Sequence, residues 1–124
     1  MKQVLATEQA PAAIGPYSQG IAAGETVYVS GQLPLDPVTG AFPEGIAAQT
    51  AQSLKNIQAI LAQQGMTLAN VVKTTVFLAD INDFAEMNKV YGEFFTQPYP
   101  ARSAVQVAKL PKDAPLEIEC IAVK

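Results

Sequence analysis

Arg102 stands in the run Pro100-Ala101-Arg102-Ser103, ahead of Ala104, Val105, Gln106 and Val107, a strand-like stretch with no other charge. Its planar fork is the side chain best matched to a carboxylate, which it can hold through two parallel hydrogen bonds. The competing reading is a surface ion pair, for which no local acid offers itself. Glu117 and Glu119 alternate with Leu116, Ile118 and Cys120, so both acids project from the strand face opposite those three. A carboxylate beside a bound substrate can position water or shuttle a proton, and a solvated strand face is the plain alternative. Ser30-Gly31 closes a β-rich run, where a hydroxyl and a bare backbone can approach a ligand or simply turn the chain. Gly15-Pro16-Tyr17-Ser18 fixes a turn and presents a phenol, either to a ligand or to a core or interface. Asn88 reads as an ordinary polar helix residue, and Cys120 as buried packing rather than a nucleophile.

The chain has no histidine. That removes Ser-His-Asp triads, Cys-His dyads, imidazole acid/base pairs and the common zinc ligand sets together. Any chemistry must use Arg, acids, Tyr, Lys, hydroxyls, backbone groups and water.

Positioning these residues calls for short strands at Val4 to Thr7, Gly20 to Ala23 and Thr26 to Gly31, then a Pro/Asp/Gly-rich loop from Leu33 to Gly45. Ala47, Ala51, Leu54, Ile57 and Leu61 recur at helical spacing within Ile46 to Gln64, with Gly65 as the stop. Val71 to Leu78 reads as a buried strand. Asp83 with Glu86 predicts a capped start for a second helix carrying Phe84, Met87, Tyr91 and Phe94 on one stripe and ending before Pro98. Strands at Ser103 to Val107 and Glu117 to Val123 follow. The order makes both helices crossovers between parallel strands, covering one face of a mixed sheet, an α/β (α+β) fold. If Ala108 to Pro115 is a plain hairpin loop, Glu117 faces Gln106, and Arg102 lies four residues away, roughly 13 Å at strand rise. A shared site then needs another part of the fold or a neighbouring chain.

The 124 residues suit one domain, 1–124, with a core that needs neither disulfide nor metal. Hydrophobic residues make up 49% and charged residues 15%, so much of the surface is apolar or small. A sheet face buried between subunits in a closed ring would account for that. A net charge of −3 with no basic patch argues against nucleic acid as a partner. No apolar run approaches the roughly 18 residues of a membrane span, the first residues lack a signal-peptide pattern, and Cys120 is the only cysteine, so a cytoplasmic location is expected.

Taken in order, Ala10 through Gly20, Val29-Ser30-Gly31-Gln32, Val72 through Leu78, Pro100 through Val105, Ala108-Lys109-Leu110-Pro111 and Glu117-Ile118-Glu119 resemble the RidA/YjgF family of reactive-intermediate deaminases. The likeness runs over essentially the whole chain. It implies a chorismate-mutase-like subunit, a homotrimer with active sites in the clefts between subunits, no cofactor, and hydrolysis of 2-iminobutanoate and 2-iminopropanoate to 2-oxo acids and ammonia. By position, Arg102 would clamp the substrate carboxylate with help from the Gly31 backbone. Glu117 would hold the attacking water with the Ala104 carbonyl, and Tyr17, Ser30 and Asn88 would line the pocket. Two features depart from the pattern: Ala104 stands where relatives often carry Cys, and Thr96 to Pro100 is a short connection. A non-catalytic trimer that binds keto acids in the same cleft is the alternative.

Overall fold

The computed structural model describes residues 1–124. Six strands and two helices form it: β1 (Lys2–Leu5), β2 (Gly20–Ala23), β3 (Thr26–Gln32), α1 (Ile46–Ala62), β4 (Val71–Leu78), α2 (Phe84–Phe94), β5 (Ala101–Gln106) and β6 (Leu116–Val123). One mixed sheet holds all the strands in the order β1-β2-β3-β6-β4-β5. Strand β4 pairs parallel with β5 and antiparallel with β6, which in turn pairs antiparallel with β3. Chains β3-α1-β4 and β4-α2-β5 therefore both join parallel strands, with β6 inserted inside the first crossover.

Alternation along the central strands explains why they sit there. Thr74, Val76 and Leu78 of β4, with Leu116, Ile118, Cys120 and Ala122 of β6, are buried on one face. Leu54, Ile57 and Leu61 of α1 and Met87 and Tyr91 of α2 close over that face in a single 22-residue cluster, with Phe84 and Phe94 at its margin. The opposite face carries Tyr28, Lys73, Thr75, Phe77, Glu119 and Ile121, and no element of this chain covers it. The exposed Tyr28 is 51% accessible there.

Polar groups inside the helix layer tie the loops to it. Asn56, fully buried on α1, donates to the carbonyls of Leu33 and Leu35 at 3.2 and 2.9 Å, and its own carbonyl accepts from Gln52. The long loop after β3 thereby gains a fixed point, since leaving those groups unpaired would cost about 1–3 kcal/mol each. The Gln19 side chain does the same for the amino-terminal loop, bonding Thr7, Ala10 and Pro11.

Several expected details differ. No β5–β6 hairpin exists: β4 lies between the two strands, because its Val-Lys-Thr-Thr-Val-Phe-Leu run offers pairing on both edges. The first strand is Lys2–Leu5 rather than Val4 to Thr7, since Thr7 turns away to bond Gln19. Asp83 makes no side-chain cap; Asp80 instead accepts from the Asn82 amide and starts a single turn, Ile81–Asp83, that leads into α2. Strand β5 begins two residues before Ser103, where Ala101 and Arg102 pair with Lys73 and Thr74.

Candidate active site

Arg102 lies in register with Thr74, a residue of the helix-covered face, and points toward α2. Its Nη1 donates to Asn88 Oδ1 at 2.6 Å, and its guanidinium carbon sits 4.7 Å from the Tyr91 ring centroid and 5.4 Å from that of Phe84. Stacking on a ring face is a known guanidinium preference, and it leaves the edge of the fork free for a planar anion. Tyr91 is itself fixed, sharing a 2.6 Å hydrogen bond with Thr74 and packing on Phe95. Burial raises the Tyr91 pKa, with Thr74 and Arg102 partly opposing it, so the phenol stays neutral beside the cation. The ion-pair reading of Arg102 fails, because the chain's one salt bridge joins Lys109 to Asp113. Asn88, Tyr91, Gly92, Tyr99, Pro100 and Arg102 together line an open cavity of about 450 Å³.

Glu117 belongs to the other face of the sheet. It is in register with Phe77 and lies against Gly31 of β3. A cavity of about 590 Å³ there is lined by Tyr17, Ser30, Gly31, Glu117 and Glu119 among others. Burial first, and then the charge of Glu119, raise the Glu117 pKa above the ordinary glutamate value. Ser30 donates its hydroxyl to the Ser18 carbonyl at 2.6 Å, and its amide bonds the Gln19 carbonyl, so it braces the Tyr17 loop and retains only acceptor capacity toward a ligand. Tyr17 is 52% exposed and free to reach into the cavity. Cys120 is buried, its thiol pushed up to about 12, which suits packing and not nucleophilic attack.

The predicted residues thus fall into two groups that one chain cannot join. Tyr17, Ser30, Gly31 and Glu117 share one cavity; Asn88 and Arg102 share another on the opposite sheet face. Ala104 lines neither, its side chain packing against the core. Tyr91 and Tyr99 were not singled out as site residues from the sequence. Tyr91 could have been, since it follows Asn88 by three positions on one helix and so shares its face.

Gly31 is the only residue type that admits Glu117 where it stands. A Cβ built on it would lie 2.6 Å from the Glu117 carboxyl carbon and 2.8 Å from Oε1. Gly31→Ala is therefore expected to swing the carboxylate aside, lowering kcat/KM about 10- to 100-fold while leaving the thermal midpoint nearly unchanged. Steady-state kinetics and a melting curve on the same preparation check it.

A family model described as endoribonuclease L-PSP matches residues 7–124. A 2-iminobutanoate/2-iminopropanoate deaminase of Salmonella typhimurium is 54% identical over 127 residues, with 100% of this chain and 99% of that protein covered. The structure of E. coli TdcF with bound serine superposes with a TM-score of 0.94 at 48% identity, covering 98% of each chain. That of the E. coli YjgF gene product gives a TM-score of 0.94 at 52% identity, again over 98% of each.

Proposed function

The chain belongs to the endoribonuclease L-PSP (RidA/YjgF) family, and from that premise we propose that it hydrolyses 2-iminobutanoate, 2-iminopropanoate and similar 2-imino acids to 2-oxo acids and ammonia. The observation that carries this reading is Arg102: a half-buried fork, oriented by Asn88 and Tyr91, with no acid in its own chain to satisfy it. An α-carboxylate is the complementary ligand.

The site is completed between chains of a homotrimer. Arg102 of one subunit holds the substrate carboxylate while the Glu117 cavity of its neighbour, with Tyr17, Ser30 and the Gly31 backbone, closes over the imine. The uncovered sheet face and the low charge content support such assembly. An iminium carbon is already electrophilic, so the residues need only place a water and move protons. Glu117, near the Ala104 carbonyl of the apposed chain, accepts a proton as the water oxygen bonds to carbon. It returns that proton to the nitrogen of the carbinolamine, then takes the hydroxyl proton as the C–O bond becomes the carbonyl and the C–N bond breaks, so that the 2-oxo acid and ammonia leave and the last proton passes from Glu117 to the ammonia. This sequence needs no cofactor and no histidine. The enzyme would work in the cytoplasm, where pyridoxal-phosphate-dependent dehydratases release the parent enamines. Ribonuclease chemistry, which the family description names, draws no support from an acidic chain without histidine.

A threonine dehydratase supplying the enamine should release 2-oxobutanoate faster when this protein is present. Mixing inactive Arg102→Ala and Glu117→Gln chains under exchange should restore activity to about a quarter of the sites, those taking one intact half from each variant. No recovery after demonstrated subunit exchange would place both residues in one chain's site. Binding of 2-oxobutanoate with no rate effect would leave the non-catalytic binder as the correct reading.

A further inference from the structure

Two carboxylates, Glu117 and Glu119, line a cavity that on the proposed reading must admit an anion, in a chain of net charge −3. Their field opposes entry. Of the chain's eight Lys and Arg residues, Lys112 is the one that lines this cavity. Its neighbour Lys109 is taken up by Asp113 at 3.2 Å, whereas Lys112 has no acidic partner.

The backbone beneath Lys112 is costly for its residue type. Lys112 has φ 59 and ψ 22, and Asp113 follows with φ 54, two successive non-glycine residues in the left-handed region. Glycine or asparagine would suit that conformation with less strain, and a turn alone gives no reason for lysine. The conformation is imposed from both sides. Leu110 and Ala114 are buried anchors, and the Asp113 and Ala114 amides bond back to Leu110 and Pro111 at 3.2 and 3.1 Å. A strained backbone at a cavity wall, carrying the cavity's sole cation, marks a side chain retained for what it faces.

We propose that Lys112 is the capture cation of the Glu117 cavity, held at its wall by the left-handed turn Pro111–Asp113 to draw the substrate carboxylate past Glu117 and Glu119 toward the Arg102 that the apposed subunit supplies. This rests on the reading that the cavity takes anionic 2-imino acids. Lys112 acts on entry and does not touch the reacting atoms, so its removal weakens capture and spares turnover.

Two readouts test it, the coupled dehydratase assay and calorimetric binding of 2-oxobutanoate, each across a series of ionic strengths. Lys112→Met should lower kcat/KM and weaken 2-oxobutanoate binding roughly 3- to 10-fold at low salt with kcat unchanged. The deficit should close toward 1 M salt, where screening falls to about 3 Å. Lys112→Gly should show the same kinetic deficit with a raised thermal midpoint, which separates the charge from the strain. Lys112→Arg should behave as the parent, and Lys55→Met on the outer face of α1 should leave the salt dependence intact. An unchanged salt dependence in Lys112→Met, or a matching fall in kcat, overturns the proposal. If 2-oxobutanoate binds with this Lys112-dependent salt response but no imine is hydrolysed, the catalytic reading fails and the capture role stands.

Discussion

Replacing Arg102 with alanine is expected to abolish the acceleration of imine hydrolysis in the coupled dehydratase assay. The fork would make two charge-assisted hydrogen bonds to the substrate carboxylate, each worth about 1.5–3 kcal/mol, so a loss of kcat/KM on the order of 10²- to 10⁴-fold follows. Arg102→Lys should recover little. A lysine ammonium cannot make the bidentate contact, and it loses the flat stacking on Tyr91 and Phe84 that aims the fork. The variant should remain folded, because Arg102 lies on the edge strand β5 and forms no ion pair whose rupture would strand a buried charge. Near-parent activity in Arg102→Ala would remove the carboxylate clamp, and with it the main support for the deaminase reading.

Glu117→Gln is the second large loss, about 10²- to 10⁴-fold in kcat, the range a positioned proton-transfer group supplies. The pH profile carries the sharper information. Burial and then Glu119 hold the Glu117 proton more tightly than usual, so the working carboxylate forms at higher pH than an ordinary glutamate would. The rate should therefore fall on the acid side along a limb displaced to higher pH than a free carboxylate would give. Glu119→Gln removes one of the two causes and should move that limb to lower pH; an unmoved limb would assign the titration to another group. Stability runs the other way. A carboxyl whose folded pKa is raised stabilises the fold fully below its unfolded value, and that contribution is lost as pH climbs through the folded value. Glu117→Gln should thus cost activity and no stability at neutral pH, the signature of a group kept for chemistry against the preference of the fold.

The sequence carries the elements far better than their neighbours. Gly20–Ala23 and Val71–Leu78 are legible to the residue, because short apolar runs between turn signals, β-branched in the case of Val71–Leu78, are local properties. That β4 would come between β5 and β6 is not local. Chain adjacency favours a hairpin, and only the two-sided pairing of β4 displaces it. The same gap hides the separation of Arg102 and Glu117. Spacing along a hairpin suggests distance, whereas the observed registers put the two on opposite faces of one sheet. Apolar periodicity also passes over Thr50, Ser53 and Asn56, which share the buried side of α1 with its leucines and isoleucines. Tyr91 counts toward an apolar stripe while its hydroxyl serves Thr74 and its ring serves Arg102. Lysine is not a residue whose type announces a left-handed backbone, so Lys112 stays silent until the turn is seen.

The central place of β6 has a consequence for how such a chain comes into being. It is the last strand in chain order, yet it lies between β3 and β4 and carries Glu117. During synthesis, β3 and β4 leave the ribosome each with a pairing edge that nothing yet occupies. The two halves of the sheet can meet only once residues 116 to 123 follow them. Until then the nascent polypeptide exposes two strand edges and an apolar helix layer, a template for wrong pairing that holding chaperones are suited to shield. Closure of the sheet and the arrival of Glu117 beside Gly31 both wait on this last strand, late and across long sequence separation.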